Sequence, residues 1–93
     1  MKYIKINIVN CVSNIEHITK KNIYIVIKEK LIIMHSPNNL NDVIYIDINE
    51  KNDSYWEYFI KNEKLTLYPS INFVGKNGKA HFYLIESKVY YVK

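Results

Sequence analysis

The stretch Ile71 to Ile85, INFVGKNGKAHFYLI, decides the fold class. Both glycines of the chain, Gly75 and Gly78, bracket Lys76 and Asn77, and apolar residues flank the turn on either side. A two-residue turn between such runs is the strongest short-range signal for a β-hairpin. Lys79 to Ile85 is one strand, and Val89 to Val92 closes the chain with another.

Working toward the N-terminus, Pro69 ends or edges a strand over Leu65 to Tyr68, because proline cannot donate a ladder hydrogen bond, and the chain continues from it as a connection through Asn72 to Val74. Asn62 to Lys64 is a short turn after an aromatic strand from Tyr55 to Lys61. Val43 to Asn49 alternates Ile44, Ile46 and Ile48 against Tyr45 and Asp47, the period of two of a half-buried strand. Ser36 to Asn41 carries Pro37 and three asparagines and predicts a surface loop. Ile23 to Lys28 and Leu31 to His35 are β-branched runs that Glu29 and Lys30 join as a tight hairpin. Residues 10 to 22 lose the alternation, leaving a short helical turn or an irregular crossing segment. Lys2 to Val9 places Ile4, Ile6 and Ile8 on one side and is the first strand. The expectation is an all-β fold, a small antiparallel barrel or sandwich of about seven to eight short strands, with residues 1 to 93 as one domain.

Composition narrows the function classes. Hydrophobic residues make up 48% and charged residues 24%, enough apolar side chains for a core and too many for disorder. No apolar run reaches eighteen residues, and Met1 to Asn10 alternates instead of forming a signal-peptide core, so no membrane partner is expected. Cys11 is the single cysteine, read as a small buried hydrophobe; no intramolecular disulfide can form, and a cytoplasmic location follows as an expectation. The formal charge of +4 comes with thirteen lysines and no arginine, which argues against nucleic acid as the partner. His17 and His35 lack neighbours at zinc spacing. No metal and no cofactor are expected.

Ser70 and His81 flank the Gly75 to Gly78 turn. With Lys76 and Asn77 as the turn residues, Asn72 faces His81 and Ser70 faces Tyr83. Ser70 and His81 then lie diagonally on one face, roughly 7–8 Å apart at the backbone, within reach of an imidazole. A serine beside a histidine is the minimum for an activated nucleophile, because the hydroxyl attacks only when a base takes its proton. The plainer reading is a turn serine near a surface histidine. Asp42, Asp47, Asp53, Glu57 and Glu86 are the acids that could orient the histidine; the sequence does not select one, although Glu86 falls on the face opposite His81. Tyr55, Trp56, Tyr58, Phe59, Tyr68, Phe82, Tyr83, Tyr90 and Tyr91 suit a binding surface, while core and cross-strand packing is the simpler expectation for them.

Leu65-Thr66-Leu67-Tyr68-Pro69-Ser70-Ile71, followed by His81-Phe82-Tyr83-Leu84-Ile85 and Val89-Tyr90-Tyr91, resembles a family of small bacterial domains encoded beside multiubiquitin and ubiquitin-activating-like genes. Trp56 also falls where that family tends to have tryptophan, and the similarity covers roughly Ile23 to Val92. The family resembles the peptidase component of bacterial ubiquitination-like operons. The resemblance implies a serine peptidase acting on a ubiquitin-like protein or its conjugates, with Ser70 as nucleophile and His81 as general base. Family members usually carry a cysteine-rich knuckle after a strand-ending histidine and a cysteine three positions before the later histidine. Here His35 remains, Ser36 to Asn41 holds no cysteine, the later position is Gly78, and Ala80 replaces a family serine, which together look like a metal-free variant. An oxyanion hole is expected near Ile71 or in the Gly75 to Gly78 turn. The alternatives are a noncatalytic protein-binding β module and, further off, a domain binding single-stranded nucleic acid.

Overall fold

The computed structural model describes residues 1–92. Among these are nine strands in three sheets, none closed into a barrel, so the arrangement is that of a sandwich. The strands are β1 Lys5–Val9, β2 Asn22–Val26, β3 Leu31–His35, β4 Val43–Asp47, β5 Glu57–Lys61, β6 Lys64–Tyr68, β7 Ile71–Gly75, β8 Gly78–Ile85 and β9 Lys88–Tyr91. They form sheets in the orders β1-β2-β3-β4, β5-β6 and β7-β8-β9.

One pair departs from the antiparallel expectation. β1 and β2 run parallel, with Ile6 beside Ile23 and Ile8 beside Ile25. Parallel neighbours need a long crossover, and the irregular segment from Asn10 to Lys21 supplies it, with a single 3-10 turn at Val12–Asn14. That segment also closes a second small core. Ile15 and Ile18 pack with Val9, Leu31 and Val43 against Tyr24, Val26 and Ile33. The two faces of β2 and β3 are therefore both covered, which explains why these strands are continuously apolar.

The main core lies on the other face of that sheet. Ile23, Ile25, Ile32, Met34, Ile44 and Ile46 meet Leu65, Leu67, Ile71, Ala80, Phe82, Leu84 and Val89. β8 shows the simplest pattern, with Ala80, Phe82 and Leu84 buried and Lys79, His81, Tyr83 and Ile85 outside. β6 is tied to the turn after β8: Ser87 N–H donates to the Leu65 carbonyl at 2.7 Å, and Leu65 N–H donates to Ser87 Oγ at 2.9 Å.

Several expectations need correction. The β2–β3 connection is a four-residue turn from Ile27 to Lys30, because Val26 pairs with Leu31 and Lys30 takes a left-handed φ of 55°. The strand expected from Tyr55 begins only at Glu57. Ile71–Gly75, expected as a connection across Asn72 to Val74, is a strand in its own right. Of the three isoleucines placed on one side of the first strand only Ile6 packs on the core; Ile4 and Ile8 are 70% and 61% exposed. The loop after β3 is only partly at the surface, since Ser36 and Asp42 are buried. Cys11 is half-buried instead of a core residue, with Sγ 3.0 Å from Ser13 Oγ and 3.1 Å from Asn14 Oδ1. Of the C-terminal aromatics, Phe82 is fully buried and Trp56 half-buried, while the tyrosines and Phe59 are exposed outside the core, Tyr83 facing Tyr90 across β8 and β9.

Candidate active site

Asn72 pairs with His81, as the two-residue turn requires, and Gly75 pairs with Gly78. Ser70 directly precedes β7. Its Oγ lies 3.3 Å from Nε2 of His81, on the exposed face of the β7-β8-β9 sheet. That is longer than an ideal hydroxyl–nitrogen bond, a common condition of catalytic pairs before substrate tightens them. For the serine to donate here, Nε2 must be the unprotonated nitrogen of the ring. Ser70 is half-buried and His81 exposed, so the pair is open to a large substrate.

Three neighbours fix this geometry. Pro69 ends β6, and the Tyr68–Pro69 peptide is cis. Trp56 pins the connection: its indole N–H donates to the Pro69 carbonyl at 3.1 Å, with the Ser70 carbonyl at 3.4 Å. Asp42 holds the hairpin at its far end, where Oδ2 accepts the Asn77 backbone N–H at 3.1 Å and Oδ1 accepts the Asn77 side-chain amide at 2.9 Å. Asp42 was visible in the sequence only as an acid, and Trp56 as an aromatic at a position where the family tends to have tryptophan; their anchoring roles depend on contacts 35 and 13 residues away.

The acids do not complete a triad with His81. Asp42 is committed to Asn77, Asp47 accepts hydrogen bonds from Asn49 N–H and Asn52 Nδ2, and Glu86 lies in the turn after β8. Asp53 and Glu57 instead line an open cleft of about 420 Å³ with Tyr55, Trp56, Tyr68 and Pro69, beside the backbone that leads into Ser70. Among the described residues the arrangement is a Ser-His pair with Asn72 next to it, directly across from His81.

The oxyanion expectation is also revised. Val92 N–H donates to the His81 carbonyl at 2.9 Å, so the backbone groups of His81 point toward β9. Alternation along an antiparallel strand then turns Ala80 and Phe82 toward β7 and their partners Phe73 and Ile71 toward β8. The Ile71 N–H is used in the ladder. The turn is too distant, since five residues of strand from Ser70 to Gly75 span roughly 16 Å. The Ser70 N–H, by contrast, donates to no protein acceptor among the described residues.

A zinc site, which the family's cysteine-rich knuckle would imply, does not fit these residues. His35 Nε2 sits 2.9 Å from the Ile18 carbonyl, its Nδ1 is buried without a partner, and no thiolate stands near it to complete a ligand set. Among the described residues no three His, Cys, Asp or Glu side chains gather to hold a metal ion. The loop after β3 and the hairpin are joined instead by the Asp42–Asn77 bonds and by Asn38 Nδ2 donating to the Lys79 carbonyl. Among the described residues, no helix is long and apolar enough to cross a membrane.

Comparison with curated proteins and with solved structures gives no match. The family model described as bacterial ubiquitination-like system serine protease (BubE) matches residues 9–92, which include every strand from β2 to β9 and both Ser70 and His81, and the chain belongs to that family.

Proposed function

We propose that this protein is a serine peptidase that processes or deconjugates a ubiquitin-like protein, with Ser70 as nucleophile and His81 as general base. The observation that carries the reading is the 3.3 Å approach of Ser70 Oγ to His81 Nε2, in a chain whose family is described as a serine protease. Ser70 Oγ attacks the scissile carbonyl carbon while its proton passes to His81 Nε2. The tetrahedral oxyanion accepts the free Ser70 N–H, the kind of donor that stabilises developing charge. Collapse breaks the carbon–nitrogen bond, and His81 returns the proton to the leaving amine. Water then hydrolyses the ester with His81 again as base. The steps need no cofactor, and the cytoplasm is the proposed location.

The absence of a carboxylate on His81 among the described residues lowers the base's orientation and predicts a slow peptidase. The same observation, with Tyr83, Ile85 and Tyr90 exposed on the β8–β9 strands, supports a second reading in which the face binds a ubiquitin-like partner without cleaving it. A ubiquitin-like precursor carrying residues beyond its mature tail separates the two. Incubation followed by intact-mass analysis shows loss of the extension with wild type and none with Ser70→Ala or His81→Ala if the peptidase reading holds. Equal binding of the precursor by wild type and Ser70→Ala, with no cleavage by either, selects the binding module.

A further inference from the structure

The ladder parity that consumes the Ile71 N–H leaves the opposite edge of β7 open. Ile71, Phe73 and Gly75 turn their backbone groups to β8, so Asn72 and Val74 turn theirs outward. β7 is an outer strand of its sheet, and neither Asn72 nor Val74 has a backbone partner on that side among the described residues. Both side chains are exposed, Val74 to 69%. The other outer strand of this sheet is covered, since Val89 on β9 donates to the Met1 carbonyl and Lys2 bridges Lys88. Edge strands are ordinarily blunted by lysine, proline or a bulge, and the open stretch of β7 has none of these.

The open stretch has two defined ends. At one, Trp56 already donates toward the Ser70 carbonyl. At the other, Asp42 lies over Gly75, 2.6 Å from where a Cβ would stand. Between them are two pairs of free backbone groups, and the chain that carries them leads directly back to Ser70.

We infer that the free edge of β7 is the docking strand for the substrate, and that an extended tail adds to it antiparallel, its third and fifth residues before the scissile bond opposite Asn72 and Val74. This rests on the peptidase reading. The direction follows from chemistry: residues preceding the scissile carbonyl must run back from Ser70 along the strand, which places the first residue at Ser70 and each second residue at the next outward pair. The tail becomes a fourth strand of the β7-β8-β9 sheet. Affinity comes from main-chain hydrogen bonds, so the substrate class is an extended, unfolded segment defined more by its backbone than by its side chains. Side chains of the first, third and fifth residues stand on the same face as His81, Asn72 lying opposite His81.

The test uses Val74→Pro, which removes the outward N–H and no bond to β8, with Val74→Ala as the side-chain control. Each is assayed for labelling of Ser70 by a small fluorophosphonate and for cleavage of a ubiquitin-like precursor extended beyond its tail. The expected result is labelling within twofold of wild type for both, and a kcat/KM for the precursor at least tenfold lower for Val74→Pro alone. A second measurement bypasses folding of the variant: N-methylation of the tail's third residue before the scissile bond blocks cleavage by wild type, and N-methylation of the second does not. Cleavage by a labelled Val74→Pro at the wild-type rate, or equal loss on methylating either residue, overturns the edge while the peptidase reading stands. A wild type that forms a dimer broken by Val74→Pro assigns the edge to a second copy of the chain and also overturns it. Wild type that neither labels nor cleaves brings down the peptidase reading and the edge with it.

Discussion

A Cβ on Gly75 would stand 2.5 Å from Phe73 Cε2 and 2.6 Å from Asp42 Oδ2. Glycine is required there by close approach, and Gly78 by its φ of 147°. The hairpin can therefore seat against Asp42 and hold Asn72 across from His81. Gly75→Ala is expected to cost about 1–3 kcal/mol, as overpacking does, read as a fall in melting temperature. The Ser-His pairing was legible in the sequence because the two glycines define the turn and the turn defines which residues face each other. The hydroxyl-to-imidazole distance was not, since it depends on how Pro69 and Trp56 orient the residue just outside the strand. Asn72 was legible as the residue facing His81, but nothing in the sequence showed that its outward backbone would be left without a partner.

At the scale of single elements, alternation identified β4 and β8 because each has one face in the core. It failed for β7, whose burial alternates but whose sequence does not, because apolar Val74 is exposed and Gly75 takes an inward position. It also could not reveal the parallel β1–β2 pair, because parallel and antiparallel neighbours share the same period of two. β8 should dominate stability: Phe82→Ala is expected to lose about 3–5 kcal/mol in chemical denaturation, a large part of what a domain of this size has. The β5–β6 and β8–β9 turns both place two non-glycine residues in the left-handed region, Asn62 with Glu63 and Glu86 with Ser87. Ser87 offsets its strain by the bond from Leu65. Exposed Glu63 makes no such bond among the described residues, and Glu63→Gly should raise stability by about 1 kcal/mol, seen as a higher denaturant midpoint with an unchanged slope.

Across the whole molecule, the N-terminal segment joins the halves of the sandwich. Tyr3 is buried in the main core and its hydroxyl donates to the His35 carbonyl. Burial, with a smaller contribution from Tyr91, holds this phenol well above its usual range. Above about pH 10 the unfolded chain releases the Tyr3 proton and the folded chain retains it, so the folded state binds more protons and stability falls as the pH rises. Tyr3→Phe should flatten that alkaline slope while lowering stability at neutral pH by about 1–2 kcal/mol, the cost of an unpaired buried carbonyl. The sandwich turns one face of the β7-β8-β9 sheet to the core and leaves the other, with Ser70 and His81, open to a partner. The charge balance, all lysine, contributed nothing to locating that face. Intact mass after treatment with a serine-directed fluorophosphonate tests the working Ser70–His81 pair without any knowledge of the natural substrate. One adduct per wild-type chain is expected, abolished by Ser70→Ala and by His81→Ala; folded wild type that stays unlabelled, or an adduct that persists in Ser70→Ala, contradicts a working pair.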